Sequence, residues 1–540
     1  MNIIQNGQFN IGHICTRQKC DDGLGGKLAF RWISANLERV DYSFNDLDRE
    51  SSKFSNVLRS LHVVAGDILF TYLPKTPEQF FCFLGALKLR VICGTLFSNF
   101  GDEALVDRLG DAKANGVITK KSLLKKILRI RDKLPHLRYI IVVDIEEHQS
   151  NDILSYSELM SQASDDFVAP LTTPDMPSVL HYTSGSTGKP KGVLHAHRSV
   201  LHLSKTAREV LNITDSDIFW CTADQGWVTG TSYGIIGPWS LGVAQIHYGG
   251  GYDAKLWFDL LEREAITIWY SAPTALRMLM REEPNLYRGY NLGALRHIFS
   301  VGEPLNPEVI AWARATLGKD IYDTWFQTET GGIMITNRPG IEIRPGSMGM
   351  PVEGIEAAII ADDGELLGNG QQGILCLREG WPSMFTTYLN SETVYDKKFR
   401  NGYYSSGDTA IRDNEGYYWF RGRSDDVINT AGHLISPFEI ESALLEIEEV
   451  AESGVIGAPD ELLFEKVVAF ICLHKQYVWS KELEIKIRLY VSNKVSSIAT
   501  PQKIVVVDRI PKNKSGKIMR RVLRARYMGQ DAGDLSTVED

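Results

Sequence analysis

Residues 182–195 decide the fold of this chain; they read Tyr182-Thr-Ser-Gly-Ser-Thr-Gly-Lys-Pro-Lys-Gly-Val-Leu-His195. Residues 178–182, Ser-Val-Leu-His-Tyr, predict a strand that enters this segment. Beyond the segment, apolar residues recur at helical spacing and predict an amphipathic helix. They are Val200, Leu203, Ala207, Val210 and Leu211. A strand, a loop and a helix in this order are typical of an α/β fold.

The loop within this segment has the composition of an anion-binding site. Its glycines let backbone amides turn toward an anion without Cβ clashes. The glycines, hydroxyl donors and lysines are Gly185, Gly188, Gly192, Thr183, Ser184, Ser186, Thr187, Lys189 and Lys191. The common P-loop is excluded because Pro190 follows the first lysine and no Ser or Thr follows either lysine. A flexible surface loop is the alternative on composition alone, and the preceding strand disfavours it.

A second segment near the C-terminus offers an isolated lysine on a flexible arm. It reads Lys514-Ser-Gly-Lys-Ile-Met-Arg-Arg521, with Lys517 directly after Ser-Gly. The competing interpretation is a solvated basic tail, because charge runs are usually exposed. Chemistry that needs both segments must bring two distant parts of the chain together over one polyphosphate.

The length and composition of the chain limit the classes of protein to which it can belong. A chain of 540 residues exceeds a single core, so two or more domains are expected. A net charge of −9 argues against a nucleic-acid partner. The seven cysteines contain no Cys-x2-Cys pair, so neither a zinc site nor a disulfide scaffold is indicated. Without a signal-like N-terminus, and with Lys88 and Arg90 inside the most apolar stretch, the sequence predicts a cytoplasmic protein.

Two domains are predicted from the pattern of elements. Residues 1–423 alternate helical and strand patterns, as a large α/β domain of packed β-sheets and helices does. Residues 424–540 predict a small α+β domain. Its first helix is marked by the capping box Ser436-Pro-Phe-Glu439 and buries Ile440, Ala443, Leu444 and Ile447, and two strands are predicted at 467–473 and 503–507.

Six ordered segments make the chain similar to the adenylate-forming superfamily, and within it to the AMP-forming acetyl-CoA synthetases. The first is the loop described above. The others are Ser300-Val-Gly-Glu-Pro304, Tyr322-Asp-Thr-Trp-Phe-Gln-Thr-Glu-Thr-Gly-Gly332, Ser406-Gly-Asp-Thr409, Gly422-Arg-Ser-Asp-Asp-Val427 and Ser515-Gly-Lys517. Gln-Thr-Glu-Thr-Gly-Gly and Gly226-Trp-Val-Thr-Gly230 are characteristic of the acetyl-CoA synthetases. The resemblance runs from about Tyr42 onward.

This resemblance implies a two-step reaction with ATP, Mg²⁺ and CoA. A carboxylate first attacks the α-phosphate of ATP, and a thiol then displaces AMP from the acyl-adenylate. The first step joins two anions, so it needs charge neutralisation and positioning. The resemblance also implies that the C-terminal domain is a mobile lid, with its hinge at Asp425, that rotates between the two half-reactions.

The resemblance assigns roles residue by residue. Lys517 would reach the carboxylate and the α-phosphate, Glu329 would hold Mg²⁺, and Thr328 beside it would touch the phosphates. Asp408 would bind the ribose hydroxyls, and Arg423 would support ribose or phosphate. The other ATP-binding residues are Thr183, Ser184, Gly185, Ser186, Thr187, Gly188, Lys191, Gly302, Glu303, Pro304, Asp323, Thr324, Trp325, Phe326 and Gln327.

The expected acyl pocket consists of Val228, Thr229, Val301 and Phe326. The acetyl-CoA synthetase pattern has tryptophan at the position of Phe326, and longer-chain relatives tend to have glycine. An aromatic residue there predicts a small pocket for acetate or propionate, and disfavours medium-chain and aromatic acids. Core packing without effect on pocket size is the alternative. Gly432 and His433 would contact CoA.

Three positions depart from the family pattern: Leu434 replaces a phosphate-binding arginine, Ser492 replaces an arginine that helps hold CoA, and Phe464 stands where relatives often have glycine. Two alternatives stay open. One is transfer of the acyl group to a carrier-protein pantetheine, and the other, supported only by Leu434 and Ser492, is a non-catalytic nucleotide-binding protein. The overall reaction is reversible, so the sequence leaves open whether it makes acetyl-CoA or makes ATP from acetyl-CoA, AMP and pyrophosphate. Lys517 is expected to be acetylated, which would remove its charge.

Overall fold

The computed structural model describes residues 3–183, 190–283, 286–424, 426–430, 433–460, 463–513 and 517–532, together with 535 and 538. The side chains at 288 and 434 are outside this description. Strands in the described residues form four sheets. We call the first three sheets and their helices the large unit, and the fourth sheet with its helices the small unit.

The largest sheet has nine strands, with a parallel centre and antiparallel edges. The sheet is parallel from Leu28–Ile33 to Ile321–Trp325, and its central strands are buried except at Ile218, as is typical of parallel sheets. In spatial order the strands are Met350–Pro351, Ile335–Thr336, Ile321–Trp325, His297–Val301, Ile268–Ser271, Ile218–Cys221, Ala244–Tyr248, Leu28–Ile33 and Arg39–Ser43.

The second sheet has eight strands and carries the loop that opened the sequence analysis. In spatial order they are Thr387–Tyr388, Lys191–Ala196, Pro177–Thr183, Ile92–Thr95, Ile68–Tyr72, Gly116–Thr119, Tyr139–Val142 and Ile153–Ser155. The predicted strand at 178–182 is confirmed, and it pairs antiparallel with Lys191–Ala196. Thr183 therefore faces Lys191 at the base of the loop.

Helices of the large unit fill the space between these two sheets. Phe30, Phe80 and Trp239, from a strand and two helices, contact one another edge-on or tilted with ring centroids 5.3–5.6 Å apart. The predicted helix after the loop is confirmed as Ser199–Glu209. The longer helices are Phe44–Ser60, Pro77–Lys88, Asp102–Asp111, Lys121–Ile130, Tyr156–Gln162, Ser199–Glu209, Ala254–Arg263, Pro273–Met280 and Pro307–Leu317. Shorter helical segments are Ile11–Cys15, Arg17–Lys19, Cys20–Leu24, Arg131–Lys133, Val228–Thr231, Ser232–Ile236, Gly237–Ser240, Tyr287–Gly289 and Glu392–Asp396.

A third sheet, which is antiparallel, contacts the nine-stranded sheet next to its edge strand Met350–Pro351, through the bridge between Gly349 and Tyr418. Its strands are Ala357–Ile360, Gln372–Arg378, Tyr403–Arg412, Phe399–Arg400 and Tyr418–Arg423. Asp408 and Arg423 are direct partners across two of these strands. This pairing places two predicted nucleotide-binding residues side by side.

The small unit has an α+β arrangement, as the sequence predicts. Its strands are His433–Ile435, Ile428–Thr430, Phe464–Leu473, Val450–Asp460 and Lys503–Val506, and its helices are Pro437–Leu445, Lys481–Lys494 and Arg520–Met528. The predicted capping box forms only in part. Ser436 accepts a hydrogen bond from the amide of Glu439, whereas the Glu439 carboxylate forms an ion pair with Arg421 of the large unit.

Two further sequence features have a structural explanation. The apolar stretch from Phe80 to Phe97 forms a buried helix and the strand Ile92–Thr95, as predicted, and within the described ranges we find no helix with the length and hydropathy needed to cross a bilayer. Phe464 has φ of +69° and an exposed side chain. Glycine adopts this left-handed conformation without strain, which accounts for the glycine expected there.

Candidate active site

The candidate site begins at the carboxyl ends of the parallel strands in the nine-stranded sheet, where α/β folds commonly bind ligands. Val301 and Trp325 end two neighbouring strands, and Gly302-Glu303-Pro304 continues from the first of them. Gly302 has φ of +97° and no atom lies within 4 Å of the place a Cβ would occupy. The turn therefore needs glycine for its backbone conformation and leaves open space beside it.

The carboxylate of Glu303 is bound by the helix Pro273–Met280. Thr274 donates to both of its oxygens at 2.7 and 3.0 Å, and Arg277 forms an ion pair with it. The Glu303 side chain therefore holds the turn against the helix Pro273–Met280. The backbone of Glu303 is then the part of the residue that is available to contact the adenine base.

Asp323 and Thr324 are buried in the last parallel strand. Thr324 donates to the carbonyl of Ser300 at 2.8 Å and lies 2.7 Å from the hydroxyl of Tyr270. Burial raises the pKa of Asp323 to about 8, so its carboxyl group is protonated at neutral pH. Among the described residues none hydrogen-bonds to its Oδ1. A buried polar atom of this kind is suited to a ligand group that completes its hydrogen bonding.

Asp408 joins the nine-stranded sheet to the third sheet. Its Oδ2 accepts hydrogen bonds from Trp325 Nε1 and Gln327 Nε2, both at 3.0 Å, and its Oδ1 pairs with Arg423 at 3.0 Å. Tyr404 in turn donates to Gln327 Oε1 at 2.9 Å. A carboxylate offers about four lone-pair positions, so acceptor capacity remains for ribose hydroxyls. Three predicted ATP-binding residues, from two different sequence segments, therefore meet at this carboxylate.

Glu329 is held by Tyr388, which lies in none of the sequence motifs. Tyr388 donates to Glu329 Oε1 at 2.8 Å, and Lys191 lies with Nζ 5.7 Å from the centroid of the same ring. Burial, and then the charge of Glu329, raises the pKa of Tyr388, so it stays a neutral donor. Among the described residues none hydrogen-bonds to the second oxygen of Glu329, which is therefore available to a hard cation such as Mg²⁺.

Thr328 is positioned by His195 at the end of the opening segment. His195 Nε2 lies 2.8 Å from the carbonyl oxygen of Thr328, and its Nδ1 lies 3.2 Å from that of Ser383. Burial lowers the pKa of His195 to about 4, so the ring is neutral and donates through one nitrogen. We assign the donor to Nε2 because its contact is shorter. The phosphate-loop strand and the Thr328–Glu329 turn are thus braced together.

Lys517 approaches this site from the small unit. Asn513 accepts from its amide at 2.9 Å through the side chain and donates to its carbonyl at 2.8 Å, and together with the antiparallel bridge between Lys512 and Ile518 these bonds pair the two arms of a hairpin. Desolvation, and then the charge of Arg423, lowers the pKa of Lys517, whereas Asp408 opposes this shift. Lys517 nevertheless keeps much of its surface accessible to solvent.

The expected acyl pocket lies on the far side of the same strand ends. Val301, Val228 and Thr229 are buried, and Phe326 contacts Tyr233 edge-to-face with centroids 5.6 Å apart. Behind Val228 is a cavity of about 10 Å³, room for about one water molecule. Phe326 therefore has an aromatic partner that holds it in place.

Some predicted residues cannot be placed. Ser184, Gly185, Ser186, Thr187, Gly188, Asp425 and Gly432 lie outside the described residues, as does the side chain of Leu434. His433 is exposed on a hairpin of the small unit. Ser492 lies in the helix Lys481–Lys494, and the nearby Lys494 forms an ion pair with Glu446 at 2.9 Å. The CoA-binding assignments therefore stay predictions.

Comparison with known proteins identifies the family to which the chain belongs. The model of the AMP-binding enzyme family matches residues 21–389, and that of the AMP-binding enzyme C-terminal domain matches residues 439–517. The chain belongs to the AMP-binding enzyme family. The resemblance inferred from the six sequence segments is thereby confirmed.

Members of this family similar to the chain include curated and structurally solved enzymes. The acetyl-coenzyme A synthetase of Bacillus subtilis is 43% identical over 99% of this chain and 93% of its own length. That of Deinococcus radiodurans is 36% identical over 99% of this chain and 86% of its own length. Among solved structures, the anthranilate CoA ligase AuaEII in complex with anthranoyl-AMP has a TM-score of 0.88 at 28% identity, covering 97% of this chain and 98% of that one. This similarity confirms the predicted fold class.

Proposed function

We propose that this chain is an AMP-forming acyl-CoA synthetase that activates acetate. The observation that carries the proposal is that Lys517 of the small unit lies near enough to the Asp408–Arg423 pair of the large unit for both charges to act on its ammonium group. An ammonium group opposite a ribose-binding carboxylate is placed for the α-phosphate between them. The full-length acetyl-coenzyme A synthetase relatives support acetate as the acid.

In the first half-reaction, a carboxylate oxygen of acetate bonds to the α-phosphorus and the bond to the bridging oxygen of pyrophosphate breaks. Lys517 neutralises charge on the carboxylate and α-phosphate, and Asp408 holds the ribose so that the two reacting groups are aligned. His195 and Tyr388 keep Thr328 and Glu329 at the phosphates. These residues position and neutralise, and none of them has to transfer a proton.

Mg²⁺ fits the residues that are present. Glu329 retains one carboxylate oxygen, and among the described residues no cluster of three or more His, Cys, Asp and Glu side chains forms a protein cage for a metal. Mg²⁺ is commonly held by one or two carboxylates together with substrate phosphates. When bound, it supplies positive charge to the phosphate oxygens.

In the second half-reaction, the thiol of CoA attacks the acyl carbon and AMP leaves with the electron pair of the broken bond. We propose that the small unit then rotates about Asp425, which withdraws Lys517 and brings Gly432 and His433 toward the thiol. The prediction of a boundary between residues 423 and 424 belongs to this proposal. Phe326, held by Tyr233, limits the acid to acetate or propionate.

The test uses purified protein with ATP, Mg²⁺ and acetate, with and without CoA. We expect acetate-dependent exchange between ATP and pyrophosphate without CoA, and AMP and acetyl-CoA with it. Exchange without formation of any thioester would indicate that the acyl group is transferred to another acceptor, such as a carrier-protein pantetheine. Absence of exchange with every acid would indicate that the chain only binds a nucleotide.

We also propose that the enzyme is cytoplasmic. Acetylation of Lys517 would remove its charge, and we propose that it stops the first half-reaction.

A further inference from the structure

Lys398 is a lysine of the site that no sequence motif contains. It precedes the strand Phe399–Arg400, and its carbonyl accepts from the amide of Ser405 at 2.7 Å. Its side chain is half-buried, with Nζ 5.9 Å from the centroid of the Tyr404 ring. In the part of the chain that the structure describes, no residue hydrogen-bonds to this ammonium group or forms an ion pair with it.

The charges around Lys398 come from the candidate site. Glu329, Arg423, Lys191 and Asp408 all act on its ammonium group, in this order of influence. Desolvation lowers the pKa of Lys398, and the two neighbouring cations lower it further, although the two carboxylates oppose the shift.

Neither carboxylate is engaged directly by Lys398. Asp408 receives its hydrogen bonds from Trp325, Gln327 and Arg423, and Glu329 receives one from Tyr388. Holding a desolvated ammonium group without a direct partner costs free energy. An arrangement with this cost is explained if an anionic ligand supplies the missing partner.

The neighbours of Lys398 indicate which part of ATP that partner is. The charges that act most on Lys517 are those of Arg423 and Asp408, on the ribose side of the site. Lys398 is influenced first by Glu329, and also by Lys191 at the base of the phosphate loop, which lies over the ring of Tyr388, the donor to Glu329. Lys191 and Lys398 lie 5.7 and 5.9 Å from the ring centroids of Tyr388 and Tyr404, and both rings contact Phe385.

We propose that Lys398 binds the pyrophosphate portion of ATP, acting with Lys191 as a clamp on the leaving group. This inference rests on the proposed function. When the carboxylate oxygen bonds to the α-phosphorus, the bridging bond breaks and its electron pair leaves with pyrophosphate. The clamp neutralises the charge that develops there, and no proton has to move. In the reverse direction it binds free pyrophosphate as substrate.

The test compares Lys398→Gln with Lys397→Gln. Lys397 is the preceding residue and is exposed, so its substitution removes the same charge from the same segment outside the site. Acetate-dependent ATP–pyrophosphate exchange requires pyrophosphate binding, whereas the reaction of synthetic acetyl-adenylate with CoA does not. We expect Lys398→Gln to lower kcat/KM for pyrophosphate by about 10- to 100-fold, a loss typical of removing one group that stabilises developing charge.

Three comparisons make the outcome specific. The reaction of acetyl-adenylate with CoA should stay within roughly threefold of wild type in Lys398→Gln, because it involves no pyrophosphate. Lys397→Gln should match wild type in both assays. Lys398→Arg, which keeps the charge and conserves bulk, should restore most of the exchange activity and also serves if the glutamine variant fails to fold.

The proposal is overturned if Lys398→Gln exchanges pyrophosphate as well as Lys397→Gln does. Equal losses in exchange and in thioester formation would also overturn it, because they would indicate a structural role. A wild-type enzyme without acetate-dependent exchange would instead refute the proposed function, so the two failures are distinguishable.

Discussion

Arg281 of the large unit forms an ion pair with Glu452 of the small unit, with Nη1 and Oε1 3.2 Å apart. The other oxygen of Glu452 pairs with Lys512 at 3.1 Å, in the hairpin that carries Lys517. Although burial opposes it, Lys512 and Arg281 together lower the pKa of Glu452 below its usual value. One carboxylate therefore ties the lysine-bearing hairpin to the large unit in the arrangement that faces Lys517 toward Asp408.

Arg281→Ala should slow adenylation more than thioester formation. The substitution removes the interaction that favours this arrangement of the two units, and a partly exposed ion pair contributes about 0.2–1 kcal/mol. We expect acetate-dependent ATP–pyrophosphate exchange to fall by roughly two- to fivefold, with the reaction of acetyl-adenylate and CoA unchanged. Arg263→Ala is the control, since Arg263 pairs within its own helix with Asp259. Equal slowing of both half-reactions would contradict this role.

Lys517→Gln should stop the first half-reaction and spare the second. Loss of its charge removes stabilisation of the carboxylate and α-phosphate, and we expect exchange to fall by about 100-fold or more. The rate of thioester formation from acetyl-adenylate should stay within roughly threefold of wild type. Complete acetylation of Lys517 should have the same effect, and intact exchange after acetylation would contradict the assignment. Lys503→Gln, an exposed lysine of the same unit, is the control.

Phe326 should set the length of the acid. One methylene group contributes about 1–3 kcal/mol of discrimination, so acetate and propionate should be preferred without excluding each other. Phe326→Gly should move the maximum of kcat/KM to longer acids in a series from acetate to octanoate, and Phe326→Trp should keep it at acetate. If the glycine variant retains the wild-type profile, the aromatic ring belongs to the core and does not limit the pocket.

Asp323 should make the stability of the free protein fall as pH rises from about 4 to about 8. Its folded-state pKa of about 8 lies above the ordinary value, so its stabilising contribution is complete below about pH 4 and is lost as pH rises through about 8. Asp323→Asn removes this titration. Between pH 6 and pH 9 the wild-type Tm should fall further than that of the variant, by roughly 2 °C. The same fall in Asp323→Asn would contradict the assignment, and the partly exposed Asp320→Asn is the control.

The fold was largely predictable because its signals are local. The strand at 177–183 and the helix at 199–209 follow from short apolar patterns. The strand Lys191–Ala196 was missed, because its pairing partner lies across the loop and Pro190 conceals its start. Glu439 was expected to complete a capping box, and an ion pair from the large unit engages it instead. Tertiary contacts override local signals in both cases.

The site was predictable only where a family motif contains the residue. Glu329, Asp408 and Lys517 stand in such motifs. Tyr388 lies 59 residues from Glu329, and His195 lies 133 residues from Thr328, so no spacing connects these pairs. Lys398 has no motif either, and its relation to the site appears only when the strands Phe399–Arg400 and Tyr403–Arg412 pair.

The most direct test of the central claim is to follow labelled oxygen from acetate. Acetate labelled with ¹⁸O in both carboxylate oxygens is converted by the purified enzyme with ATP, Mg²⁺ and CoA, and AMP is analysed by mass spectrometry. Because a carboxylate oxygen bonds to the α-phosphorus and stays there when the thiol displaces AMP, each AMP should carry one labelled oxygen. Unlabelled AMP beside newly formed acetyl-CoA would contradict an acetyl-adenylate intermediate and with it this account of the site.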